Sequence, residues 1–219
     1  MTLPIPPSAI QWLNLFSVFF IIGLAAGSFV VALMVYYSYR YRSRNGGTKS
    51  KVDSTLFRTR AREAIILASL SAILLLSLAV VSVRITTDIH NYPSLSESLL
   101  IDVTAFQWNF KFTYPNNVTT VGECRIPTGK PIVFNVTSSD VMHNFGLPDF
   151  RLKIDAIPGR YNTVWIEVPS LEGNTNATYQ IRCYELCGIG HTYMIASLVV
   201  MQPADFNLWL STAANKTGG

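Results

Sequence analysis

Residues 183–194 read CYELCGIGHTYM: two cysteines four apart, a histidine four further on, and a methionine three beyond that. Three chemistries use such a stretch. Outside the cell Cys183 and Cys187 could close a disulfide, but that leaves His191 and Met194 without a role. Zinc takes four ligands, usually Cys and His, and a thioether suits it poorly. A thioether beside thiolates and imidazoles selects copper. A mononuclear blue-copper site uses two histidines, one cysteine and a weak axial methionine. The extra thiolate is one too many for a single copper, whereas two thiolates bridging two coppers use both. Each metal then takes one imidazole and one weak axial ligand. Met194 is the first weak ligand; the second could be a backbone carbonyl in the Cys-to-Cys loop, with Glu185 midway. Gly188 and Gly190 relieve crowding where the loop folds around the metals.

The second imidazole must come from elsewhere. The chain has three histidines. His90 falls at the edge of an apolar segment, which leaves His143, in SSDVMHNF, to pair with His191. The residues from 85 onward read as short strands. LLIDVTAFQWNFKFTY, PIVFNVTS, NTVWIEV, ATYQIRC and MIASLVVM are rich in β-branched and aromatic residues, and Pro-Gly, Asn-Asn and Gly-Asn pairs punctuate them. Only PADFNLWLSTAAN near the end suggests a helix, opened by Pro203. This predicts an all-β sandwich or small barrel. Cys124 has no obvious partner and reads as a buried free thiol; a disulfide scaffold is not expected from three cysteines.

Two uncharged runs precede this domain, 12–37 and 64–83. Each reaches the ~20 residues needed to cross a bilayer as a helix. The first has no basic n-region and is too long for a signal peptide. Between them, 40–62 is dense in Lys and Arg, which stay on the cytoplasmic side. Residues 1–84 are thus expected to form a transmembrane helical hairpin and 85–219 an extracytoplasmic domain, with both termini on the outer face of the cell membrane. Trp12, Tyr36, Tyr37 and Tyr39 sit where interfacial aromatics belong. Residues 1–84 hold nine Lys/Arg against two acids, and the rest eight against eleven. The basic character belongs to one loop, so nucleic acid is not an expected partner. The outer domain also holds four N-x-S/T sequons, at Asn117, Asn135, Asn176 and Asn215, as glycosylation candidates.

The pattern C-x-E-x-C-x-x-x-H-x-x-M from Cys183 to Met194 resembles the dinuclear copper A signature of cytochrome oxidase subunit II. SSDVMHNF resembles the family segment that supplies the first histidine, LKIDAIPGRYN its K-x-D-A-x-P-G-R turn, and FQWNFKFTYP its aromatic-rich strand. The two-span layout is also the family's. The resemblance implies a cupredoxin-like β-barrel holding two copper ions through His143, Cys183, the Glu185 carbonyl, Cys187, His191 and Met194. It further implies that the Glu185 side chain helps hold a magnesium shared with subunit I. Trp108 matches the tryptophan through which electrons arrive from an external carrier, on the way to haem in subunit I. Glu63, the only acid near the cytoplasmic start of the second run, matches a glutamate at the mouth of a proton channel. No nucleophile, phosphate loop or paired catalytic carboxylates are evident, so the chain is expected to relay electrons while the oxidase activity belongs to the complex.

One departure bears on the donor. The family often has W-x-W where this chain has Trp108-Asn109-Phe110, and members fed by c-type cytochromes tend to surround the tryptophan with acids. A blue-copper protein or a membrane-bound cytochrome joins cytochrome c as a candidate donor. Quinol-oxidase relatives lose the copper ligands, whereas all six positions are filled here. Nitrous oxide reductase shares the motif but needs a large further domain. A membrane-tethered copper carrier or a metal-free glycoprotein are the readings from other classes.

Overall fold

The structure, a computed structural model, describes residues 7–40, 42, 54–90, 93–94, 96–170 and 176–217. Most of the predicted basic loop, the first six residues and the Gly-Asn turn near 173 lie outside the described residues. The chain divides into two compact units, Val18–Asn91 on the one hand, Met1–Ser17 with Tyr92–Gly219 on the other.

Two helices carry the apolar runs, α1 (Pro7–Arg40) and α2 (Ser54–His90). The apolar stretches within them are Ala9–Arg40 and Arg62–Arg84. Both helices outrun the predicted spans. α2 begins ten residues before the expected 64, because Arg, Ala, Glu and Leu are good helix formers that continue the helix past its apolar part. It also ends beyond the expected boundary at 84. Apolar side chains point outward all round: Ile65, Ile66 and Leu67, then Leu74, Leu75 and Leu76, are exposed. A helix apolar on every side needs an apolar surround. Two of its serines bond back to the helix, as suits a bilayer: Ser71 donates to the Ala68 carbonyl at 2.9 Å and Ser77 to that of Leu74 at 2.7 Å.

The second unit is built of two five-stranded sheets. The first contains β1 (Leu99–Phe106), β2 (Asn109–Thr113), β3 (Thr119–Val121), β5 (Ile132–Ser138) and β8 (Asn162–Ile166), in the order β3-β2-β1-β5-β8. The second contains β4 (Glu123–Pro127), β6 (His143–Leu147), β7 (Leu152–Ala156), β9 (Ala177–Arg182) and β10 (Ile195–Met201), in the order β4-β10-β9-β6-β7. Period-2 patterning explains the facing. In β1, Leu99, Ile101, Val103 and Ala105 are buried while Leu100 and Asp102 are exposed. Phe110, Phe134 and Phe145 meet in the core, Phe145 lying 5.7 Å from Phe110 and 5.2 Å from Phe134 between ring centroids. Such pairs add ~0.5–1.5 kcal/mol beyond burial.

The stretch LLIDVTAFQWNFKFTY is two strands. β1 and β2 run antiparallel, Phe106 pairs with Asn109, and Gln107 and Trp108 form the connection. The reversal puts Val103 opposite Phe112 and Ala105 opposite Phe110, so both strands bury the same face. Trp108 is therefore a turn residue. The short strands β3, β4, β6 and β7 were outside the sequence expectation. β6 is buried at every residue and so shows no alternation.

A C-terminal helix, α3 (Pro203–Thr217), closes one side, with Pro at its first turn. Its Phe206 is buried and Trp209 stacks edge-on to Tyr114 at 5.1 Å. The Arg125 guanidinium lies over the Trp209 ring at 5.1 Å. Cys124 sits in this core with no exposure, 3.8 Å from the Tyr114 hydroxyl. Burial pushes its thiol up to about 12.

Candidate metal centre

The loop 183–194 connects two antiparallel neighbours, β9 and β10, and their register fixes its feet. Arg182 pairs with Ile195, and the Cys183 N–H donates to the Met194 carbonyl at 3.2 Å. Cys183 and Met194 thus stand side by side at the base. Above them the chain folds back on itself: His191 N–H donates to the Gly188 carbonyl at 3.1 Å, and Met194 N–H to the His191 carbonyl at 3.2 Å. Gly188 has φ +112°, a conformation that favours glycine.

The donor atoms converge. The two sulfurs are 3.8 Å apart, and all three cysteines of the chain are free thiols. His143 Nδ1 lies 4.0 Å from the Cys183 sulfur, His191 Nδ1 3.6 Å from that of Cys187, and the Met194 sulfur 3.8 Å from that of Cys187. The Cys183 thiol donates to the Glu185 carbonyl at 3.2 Å. His143, Cys183, Cys187 and Met194 are all buried. All six predicted positions therefore meet in one place, although they come from segments about 40 residues apart.

These distances suit soft metal ions. With metal–sulfur bonds of ~2.3 Å, sulfurs at the observed 3.8 Å both reach one ion at a near-tetrahedral angle. A closed disulfide would need them at ~2.05 Å. The set of two thiols, two imidazoles, a thioether and a carbonyl matches copper in ligand softness. Burial, then the adjoining Cys183, pushes the Cys187 thiol up to about 12. A bound cation reverses that preference, because thiols coordinate as thiolates.

Surrounding side chains hold the donors. His143 opens β6, and its Nε2 is 2.8 Å from Asp140 Oδ1. The Asp140 carboxylate also accepts the Gln107 N–H at 2.7 Å and the Val141 N–H at 2.6 Å. Burial alone would push its carboxyl up, but the hydrogen bonds from His143, Gln107 and Val141 outweigh it and leave it lowered. The Cys187 carbonyl accepts from Gln107 Nε2 at 2.8 Å and from Trp108 Nε1 at 3.2 Å. Gly190 packs on the indole: a Cβ there would stand 2.4 Å from the ring. Gln107 and Asp140 had no role in the sequence reading. The only signal for Asp140 was its place three residues before His143.

Glu63 is exposed on α2. Asn117, Asn176 and Asn215 are exposed, whereas Asn135 is half-buried in β5 with its amide donating to Asp102 at 3.0 Å.

Residues 114–202 match the family model described as cytochrome c oxidase subunit II, periplasmic domain. A heme-copper oxidase subunit 2 of Aeropyrum pernix is 34% identical over 212 residues, covering 92% of this chain and 89% of that one. The chain belongs to the haem–copper oxidase subunit II family. A probable cytochrome c oxidase subunit 2 of Rickettsia prowazekii is 30% identical over 218 residues, and the match spans 90% of this chain but 66% of that longer relative. Among solved structures, the periplasmic domain of subunit II of cytochrome oxidase of Bradyrhizobium japonicum is 31% identical with a TM-score of 0.51, covering 57% of this chain and 97% of that one. The expected fold, two apolar helices followed by a cupredoxin-like β domain, is the one observed. As a subunit II, the chain is a membrane-anchored member of a terminal oxidase complex, in a family that binds copper.

Proposed function

We propose that this chain is the electron-accepting subunit of a cytochrome c oxidase-type terminal oxidase, with a binuclear copper A centre in its outer domain. His143, Cys183, Cys187, His191, Met194 and the Glu185 carbonyl would hold the two coppers. Bound there, the pair would supply one-electron transfer. The protein supplies the rest. Asp140 fixes the ring of His143, and the β9–β10 register fixes Cys183 and Met194. Burial of His143, Cys183, Cys187 and Met194 keeps water from the donor atoms, which tunes the potential. In this reading electrons would pass on to haem in subunit I, where oxygen is reduced to water with proton translocation. The observation that carries this reading is the pair of sulfurs 3.8 Å apart with two imidazole nitrogens and a thioether within about 4 Å of them.

The remaining assignments follow the same family. Trp108 receives electrons from the external carrier, the Glu185 carboxylate helps hold a magnesium shared with subunit I, and Glu63 lies at the mouth of a proton channel. The basic loop faces the cytoplasm, and both termini and the copper domain lie on the outer face of the cell membrane. Asn117, Asn176 and Asn215, being exposed, are the more accessible glycosylation candidates.

Purification from membranes in mild detergent tests the reading. The chain is expected to co-isolate with a haem-bearing subunit and to hold two coppers. Isolation alone with a single labile copper would instead support a carrier.

A further inference from the structure

The donor set is split across one seam of the second sheet. His143 opens β6, whereas Cys183, Cys187, His191 and Met194 stand in the loop from β9 to β10. β9 is paired with β10 at six positions and β6 with β7 at five. Across the seam, β6 and β9 are paired at one position, Gly146 with Arg182. This is the thinnest part of the ladder that assembles the donors. Whatever else crosses it bears on where His143 stands relative to the thiols.

Tyr184 crosses it. It sits between Cys183 and Glu185, whose carbonyl accepts from the Cys183 thiol at 3.2 Å, and its ring reaches over to β6. A Cβ on Gly146 would stand 2.2 Å from Cδ2 and 2.5 Å from Cε2 of that ring. Phe145 points into the core, so Gly146 presents the opposite face, where the ring lies. Glycine inside a strand weakens it and often marks a close approach. Backbone conformation does not account for this one, because Gly146 is not among the glycines with positive φ. The ring does account for it: only hydrogen leaves room for an aromatic face against the β6 backbone.

Tyr184 is 48% exposed, so burial alone does not hold it in place. The atoms that meet Gly146 are ring carbons, which makes the contact one of shape, built from many small dispersion terms. It acts through the residues on either side. With the ring seated, the backbone from Cys183 to Glu185 keeps a fixed place over β6, and His143 lies on that strand three residues before the contact.

We infer that Tyr184 is a positioning residue for the metal centre: seated on Gly146, its ring fixes the Cys183 sulfur and the Glu185 carbonyl relative to His143. This rests on the two-copper reading and goes beyond it by naming what holds the two donor-bearing segments together across the seam. Groups that orient ligands without touching the metal typically contribute ~10–100-fold to metal affinity.

The test uses the full chain in its assembled, copper-loaded complex, with three variants. Tyr184→Ser removes the ring, Gly146→Ala displaces it, and Tyr184→Phe keeps it. Two readouts follow the centre itself: the copper hyperfine pattern of the oxidised complex, and the chelator concentration that removes half the copper. Tyr184→Ser and Gly146→Ala are expected to lose copper at about tenfold lower chelator concentration, with unequal couplings at the two coppers. Tyr184→Phe is expected to match the unaltered complex in both. The proposal is overturned if Tyr184→Ser keeps the hyperfine pattern, even with lower thermal stability, because the ring then only covers β6. It is also overturned if Tyr184→Phe behaves as Tyr184→Ser does, because the hydroxyl and not the packing then matters. If one of the two variants that unseat the ring does not assemble, the other decides. The unaltered complex separates this proposal from the reading beneath it. One copper per chain with the pattern of an isolated ion defeats the two-copper reading, and the proposal falls with it. Two coppers with a shared pattern that survives loss of the ring defeat the proposal alone.

Discussion

His143 shows how much of the site depends on one side chain being aimed. Its Nδ1 faces the thiols because Asp140 holds Nε2 at 2.8 Å. A carboxylate behind a ligating histidine fixes ring orientation and raises ligand basicity, and losing such a partner typically costs ~10–100-fold in metal affinity. Asp140→Asn is expected to lose copper to a chelator at correspondingly lower concentration, with the fold retained by circular dichroism. Unchanged retention would show that Asp140 serves the loop alone. Gly190 is the steric counterpart. A methyl group there would meet the Trp108 ring at 2.4 Å, so Gly190→Ala must shift the indole or the loop, at a cost of about 1–3 kcal/mol. Electron uptake from a protein donor should slow more than copper loading does, read by stopped flow and metal analysis. Cys124 offers the contrasting case. Its thiol is fully buried and pushed up to about 12, and alkylation needs the thiolate. In the native protein it should resist iodoacetamide until denaturant is added, as peptide mass mapping would show.

At the scale of elements, the site is a consequence of strand register. β9 and β10 pair so that Cys183 and Met194 face each other, and β6 is hydrogen-bonded to β9 at Gly146 and Arg182, which brings His143 across. Gly146 lets Tyr184 lie flat on β6, since a Cβ would be 2.2 Å from that ring. The donor residues were legible because their types and spacing in 183–194 are rare together. The strand ladder that assembles them was not. β6 buries every side chain, so it has no period to detect, and β3 has only three residues. The β1–β2 turn was hidden for another reason: Phe106, Trp108 and Phe110 continue an aromatic alternation straight through Gln107 and Trp108. α3 was visible from Pro203 and its apolar spacing, but not what it covers. Phe206 is 4% exposed and packs against Tyr114. Phe206→Ala should cost about 3–5 kcal/mol, seen in urea unfolding of the outer domain within the full chain. A loss below 1 kcal/mol would mean that α3 does not share that core.

For the whole molecule, composition divides the labour. The apolar helices expose Ile, Leu and Val on all sides, a surface only lipid or other apolar helices can cover. The β unit instead buries Phe110, Phe112, Phe134, Phe145 and Phe150, and residues 85–219 carry eleven of the thirteen acids. Hydropathy made the anchor plain, and family likeness gave the chain its place in an oxidase. What no composition could reveal is the exposure of Ile189 and Tyr193, which depends on how the thiol loop folds over Trp108. The central claim concerns the metal pair, and electron paramagnetic resonance of the oxidised complex tests it most directly. The account predicts a multiline copper hyperfine pattern from one unpaired electron shared equally by two nuclei, lost in Cys187→Ser. The simpler pattern of an isolated cupric ion, with one copper per chain, would contradict it.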